Sequence, residues 1–145
     1  MKPASLLLAA LFTAIPLCAQ ETAAPGPESG DPPARVARLN WFSGDVAFQP
    51  AGLEEWSAAT LNYPLTTSDH LYTAKNSRAE LHIGANVIRL DANSNFGFIN
   101  LDDSIVEVSL TEGSLEIDLR QLAERDSFEV ATPNGAISLT EPGDY

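Results

Sequence analysis

The sequence predicts an all-β domain of short antiparallel strands, arranged either as a twisted two-sheet sandwich or as a short solenoid-like stack. Apolar and polar residues alternate at period two through most of residues 35–145, the spacing of a half-buried strand. Clusters rich in Gly, Pro, Asn and Asp interrupt that alternation at intervals suited to short strands. Only Leu119 to Asp126 (L-R-Q-L-A-E-R-D) has the spacing of a helical turn.

The chain has 145 residues, and 44% of them are hydrophobic, enough for one core of ordinary size but not two. Eight basic against twenty acidic residues give a formal charge of −12. That sign repels a phosphate backbone and an anionic lipid surface, so nucleic acid is not an expected partner.

Lys2 precedes an apolar run from Leu6 to Leu17, the length of a secretory signal core and shorter than the ~20 residues that span a bilayer. Residues 1–19 are therefore expected to be a signal peptide cut after Ala19, leaving no stable membrane span. A lipoprotein alternative would place lipid on Cys18, the single cysteine, but Leu17 stands where a small residue should precede it. Residues 20–34 carry prolines at 25, 27, 32 and 33 and little apolar bulk, the composition of a disordered, solvated linker. Removing the leader takes away Lys2 and no acid, leaving 7 basic and 20 acidic residues, a charge of −13.

In the body, Ala37, Leu39 and Trp41 share one strand parity, which predicts Trp41 as a core anchor, and Trp56 is expected to be buried as well. Ala79, Leu81 and Ile83, then Ile88 and Leu90, Phe128 and Val130, and Ile137 and Leu139 continue the alternation. From Ser104 to Arg120, Val106, Val108 and Leu110 are followed by Leu115, Ile117 and Leu119. A two-residue turn at Glu112-Gly113 would pair them as a hairpin with all six on one face. A corner between coils of a solenoid would use the same residues.

These residues resemble the FecR domain family. The likeness rests on G-D-V (Gly44 to Val46), Trp56, L-T-T-S-D-H-L-Y-T (Leu65 to Thr73), A-E-L-H-I-G (Ala79 to Gly84), I-R-L (Ile88 to Leu90), V-S-L-T-E-G-S-L-E-I (Val108 to Ile117) and F-E-V-A-T-P-N (Phe128 to Asn134), in that order. Ser68 departs from it, standing where the family usually has a glycine before Asp69. The resemblance implies an all-β domain working outside the cytoplasmic membrane. Members that signal to sigma-factor regulators need a cytoplasmic segment and a retained membrane helix, and this chain is similar instead to exported, stand-alone FecR-like proteins. Pro142 to Tyr145 resembles the entry into the family's last strand, so the body is expected to be a C-terminally truncated domain.

Candidate chemistry is thin. Asp91, Asn93 and Asn95, with Asp102 twelfth, approach a calcium loop, but Phe96 stands where the sharp turn needs glycine, and asparagine-rich turns are the expected reading. His70 and His82 lack a third metal ligand at motif spacing. Glu54 and Glu55 beside Trp56 point to different sides of a strand and cannot flank one glycosidic bond. No catalytic, cofactor or metal residue is assigned. In the hairpin register Glu107 faces Asp118 with Glu116 beside them and Arg120 diagonal to Glu107, an acidic surface expected either to be plainly solvated or to dock a basic partner. The expected function is a non-enzymatic, exported domain, periplasmic or alternatively extracellular, that binds an envelope protein or a cell-wall glycan. The alternative is a scaffold or spacer module in a larger exported protein.

Overall fold

A computed structural model describes residues 35–145; the expected signal peptide, Cys18 and the proline-rich linker lie outside the described residues. Thirteen strands follow one another with no helix among the described residues: β1 (Ala37–Ser43), β2 (Val46–Gln49), β3 (Ser57–Ala58), β4 (Pro64–Leu65), β5 (His70–Thr73), β6 (Arg78–Ile83), β7 (Asn86–Leu90), β8 (Ser94–Leu101), β9 (Ile105–Glu112), β10 (Leu115–Leu119), β11 (Ser127–Thr132), β12 (Gly135–Leu139) and β13 (Gly143–Asp144). They form two sheets, one ordered β13-β10-β7-β6-β1-β4 and the other β12-β11-β9-β8-β5-β2-β3. The chain alternates between them, so the two faces bury one common interior. The expected helical turn near Leu119 to Asp126 is instead a single reverse turn, closed by the Asp126 N–H on the Ala123 carbonyl at 2.9 Å.

The period-two rows point inward as expected at Ala79, Leu81 and Ile83 of β6, Ile88 and Leu90 of β7, and Phe128 and Val130 of β11, all buried in one cluster. Phe96 and Phe98 meet edge to face, 5.0 Å between ring centroids, and fill its middle.

Trp41 is a correction. Leu39 pairs with Leu81 but Trp41 pairs with Glu80, so Asn40 is an extra residue bulged out of β1. One added residue reverses side-chain parity. Phe42 therefore turns toward the core, and Trp41 stands 49% exposed on the outer face. Trp56, also expected inside, is 43% exposed. It sits in the irregular stretch before β3, where no second layer covers it.

The hairpin at Glu112-Gly113 is also corrected. Both edges of β9 are taken, by β8 antiparallel and by β11 parallel, which leaves no ladder for β10. The chain instead crosses at Gly113 to the opposite sheet, where β10 pairs with β7 and β13. Gly113 lies at φ 89°, and a Cβ there would overlap Ser94, whose hydroxyl donates to the Ser114 carbonyl at 2.9 Å and accepts its N–H at 3.0 Å. The inward rows survive the rearrangement, because Val106 and Val108 from one sheet and Ile117 and Leu119 from the other are all buried in the shared core.

Asp69 is buried just before β5. One carboxylate oxygen accepts the Ala51 N–H at 2.8 Å and the other the Thr66 N–H at 2.8 Å, which ties two loops together. Ser68 precedes it at φ 67° and donates its N–H to the Phe98 carbonyl at 2.8 Å. The left-handed conformation is thus held by a serine rather than a glycine, at a cost of about 1–2 kcal/mol.

Two outcomes are expected in thermal or chemical melts. Leu39→Ala opens a cavity and costs about 2–5 kcal/mol, whereas Trp41→Ala costs about 1 kcal/mol or less, the reverse of what strand parity alone predicts. Ser68→Gly relieves the backbone strain and, after the glycine's extra unfolded-state freedom is subtracted, stabilises by roughly 0.5–1 kcal/mol.

Candidate binding surfaces

The three acidic residues expected to share a surface do not. Glu107 lies on β9, beside Glu129 of β11 and Asn100 of β8. Glu116 and Asp118 lie on β10 of the other sheet, so the sandwich separates them from Glu107. Arg120 engages Asp118 rather than Glu107, with Nη2 at 2.6 Å and Nε at 2.9 Å.

Glu116 belongs to a charge ladder across the outer face of its sheet. The Arg89 guanidinium donates from Nη1 to Glu116 at 2.7 Å and from Nε to Glu80 at 3.0 Å. Glu80 also accepts from His82 Nε2 at 2.9 Å. The His82 hydrogen bond, reinforced by Arg89, holds the Glu80 carboxyl below its usual value of 4.5 against the opposing effect of partial burial. Adjacent positions on neighbouring strands bring these residues together, Glu80 opposite Arg89 and Arg89 opposite Glu116. Opposite charges alternate along the ladder, which suits a solvated sheet face better than a landing site for a cation.

The calcium-like stretch comes apart as well. Asp91 is salt-bridged to Arg78 at 3.0 Å, Phe96 is wholly buried, and Asp102 accepts the Ser104 and Ile105 N–H groups at 2.8 and 2.7 Å in the turn after β8. Those contacts lower both carboxyls, by the Arg78 hydrogen bond for Asp91 and by the Ser104 and Ile105 amides for Asp102. His70 on β5 and His82 on β6 belong to different sheets. Among the described residues no group of three His, Cys, Asp or Glu side chains is placed to hold a metal ion.

A rim of exposed apolar side chains in the connections on either side of β3 emerges instead. Leu53, Trp56, Leu61 and Tyr63 are all large apolar residues left exposed within residues 53–63. Ala58 lies across from Ala47, which lies across from Tyr72. The two alanines are too small to fill the outer face. What remains is a groove of about 540 Å³ lined by Trp56, Tyr72, Ala47, Ala58, Asp45 and Ser57, the Ser57 hydroxyl donating to the Phe48 carbonyl. Beyond the Ser43 to Asp45 corner, Trp41 borders a second hollow of about 380 Å³ with Asn76, Arg78 and Asp91. The signal for this rim was present in residues 51–63, which carry Leu53, Trp56, Leu61 and Tyr63 with no strand periodicity. Large apolar residues outside any periodic run have no sheet face to bury them.

No protein-family model matches the chain, and no curated protein or solved structure matches it.

The depressed carboxyls set the acid response. A carboxyl lowered in the folded state contributes stability that is complete above its ordinary value and is lost as pH falls through the folded one. The melting temperature is therefore expected to drop progressively below about pH 4.5, the ordinary value for Glu80. Glu80→Gln should flatten part of that drop, which melts recorded at a series of pH values will measure.

Proposed function

We propose that this chain is an exported, non-enzymatic FecR-like β-domain that binds a cell-wall glycan. The reading rests on the resemblance of its ordered motifs and on one observation, the exposed Trp56 beside a shallow groove that Tyr72, Ser57 and Asp45 also line. An exposed indole presents a flat apolar face on which the C–H side of a sugar ring can stack, while polar groups of the lining residues meet the sugar's own hydroxyls. The net charge of −12 favours a neutral ligand over a polyanion. Glu107, Glu116 and Asp118 have no part in this groove, and an envelope protein docking on the outer sheet faces is the competing occupant.

Purified peptidoglycan fragments and neutral oligosaccharides are the probes. Binding should quench or shift tryptophan fluorescence, and Trp56→Ala should weaken it by about tenfold or more, since stacked aromatics dominate such contacts. The melting temperature of that variant should stay close to the parent's, because Trp56 lies outside the core. Equal binding by Trp56→Ala, or no binding by the parent, refutes the glycan reading. Protection of the outer sheet faces by an envelope protein would favour the competing one.

A further inference from the structure

Each sheet of an open sandwich ends in two edges, and an edge strand exposes unpaired N–H and C=O groups to any strand that can reach them. Three of the four edges here are short and blunted. β3 has two residues and follows Glu54 and Glu55, β4 has two and begins with Pro64, and β13 has two and includes Asp144.

β12 differs in every respect. It runs five residues, Gly135–Leu139, and no charge occurs from Pro133 to Thr140. Ile137 lies directly across from Val130, and Leu139 across from Phe128, so both side chains point to the inner face. Leu139 is buried, yet Ile137 is 56% exposed, so the opposite layer does not cover it. The expectation that Ile137 joins the core with Leu139 fails for this reason. The result is an uncharged edge with an apolar side chain overhanging the sandwich.

We propose that β12 is a self-association edge, where two copies of this chain pair antiparallel about a two-fold axis at Ile137. An uncharged edge is best met by another uncharged strand, and among the described residues β12 is the one terminal strand of either sheet that is both uncharged and longer than two residues. Antiparallel pairing of identical strands is self-complementary, so one patch serves both copies. With Ile137 opposite its own copy, Ala136 falls opposite Ser138 of the second chain. Both are small and allow close approach. The axis is normal to the sheet, so both Ile137 side chains stay on the inner side and cover each other. Glu129, on the neighbouring strand, accepts from Ser138 at 3.2 Å. Its distance from the second chain's Glu129 would be three strand spacings, ~14 Å, beyond the screening length of ~8 Å at physiological salt. The pairing is therefore electrostatically tolerable despite the charge of each chain, and it is independent of the glycan groove at Trp56.

Sedimentation equilibrium on the full chain, purified as the cell accumulates it, tests this directly. A monomer–dimer equilibrium is expected, strengthening as salt rises from about 0.05 to 0.5 M. Ile137→Lys should weaken the dimer at least about tenfold by placing two like charges across the axis. Because Ile137 is exposed, the variant's melting temperature at low concentration should match the parent's. In a Cys18→Ser background, Ile137→Cys should form an intermolecular disulfide on mild oxidation, a readout that requires the two positions to face each other. A chain that stays monomeric to about 100 μM overturns the proposal, since mass action would then leave the edge unpaired at any plausible level. A dimer indifferent to Ile137→Lys, or no crosslink from Ile137→Cys, overturns it equally.

Discussion

The structure depends on one constraint: two strand faces that cannot be wetted must close on each other. Leu39, Leu81, Ile88 and Ile117 point inward from one sheet, and Leu71, Phe96, Phe98 and Val108 from the other. A single sheet of these strands would leave its apolar row in water, so the chain has to cross repeatedly between layers. The crossings consequently carry the conformational demands. Gly113 takes a left-handed turn against Ser94, Ser77 accepts the Asp45 N–H at 2.8 Å beneath the first crossing, and buried Asp69 braces the approach to β5. Ser94, Ser77 and Asp69 each accept a backbone N–H at these corners.

The parallel pairing of β9 with β11 follows from the same constraint. After β9 the chain crosses to lay down β10 in the opposite sheet, and on crossing back it runs in its former direction. All the other strand pairs are antiparallel. The outer faces are then free to be polar, and the Glu80, Arg89 and Glu116 ladder shows how an acidic chain arranges its few cations to bridge strands.

Both proposed sites lie where apolar side chains are left uncovered. The alanine-floored groove beside Trp56 and the uncovered Ile137 of β12 lie at opposite edges of the same sheet, on β3 with β2 and on β12. At the groove the alanines leave the outer face unfilled, and at β12 Ile137 reaches beyond the cover of the facing layer. The groove suits a ligand with one apolar face, and the edge suits another strand. The two sites therefore do not compete for the same surface.

By itself the sequence determined the all-β class, the placement of most strands, and which residues of β6, β7 and β11 face inward, because side-chain alternation is a local property that needs no knowledge of neighbours. Tertiary structure decided everything that depends on a neighbour's identity. Alternation says which face a residue takes but not which sheet its strand joins, so the apparent hairpin at Gly113 became a crossing, and Glu107 was parted from Glu116 and Asp118. A bulge of one residue at Asn40 was enough to turn Trp41 outward, and the reach of the opposite layer left Ile137 bare while covering Leu139. Parity is written along one strand, whereas pairing and coverage are set by the strands that come to lie beside and above it.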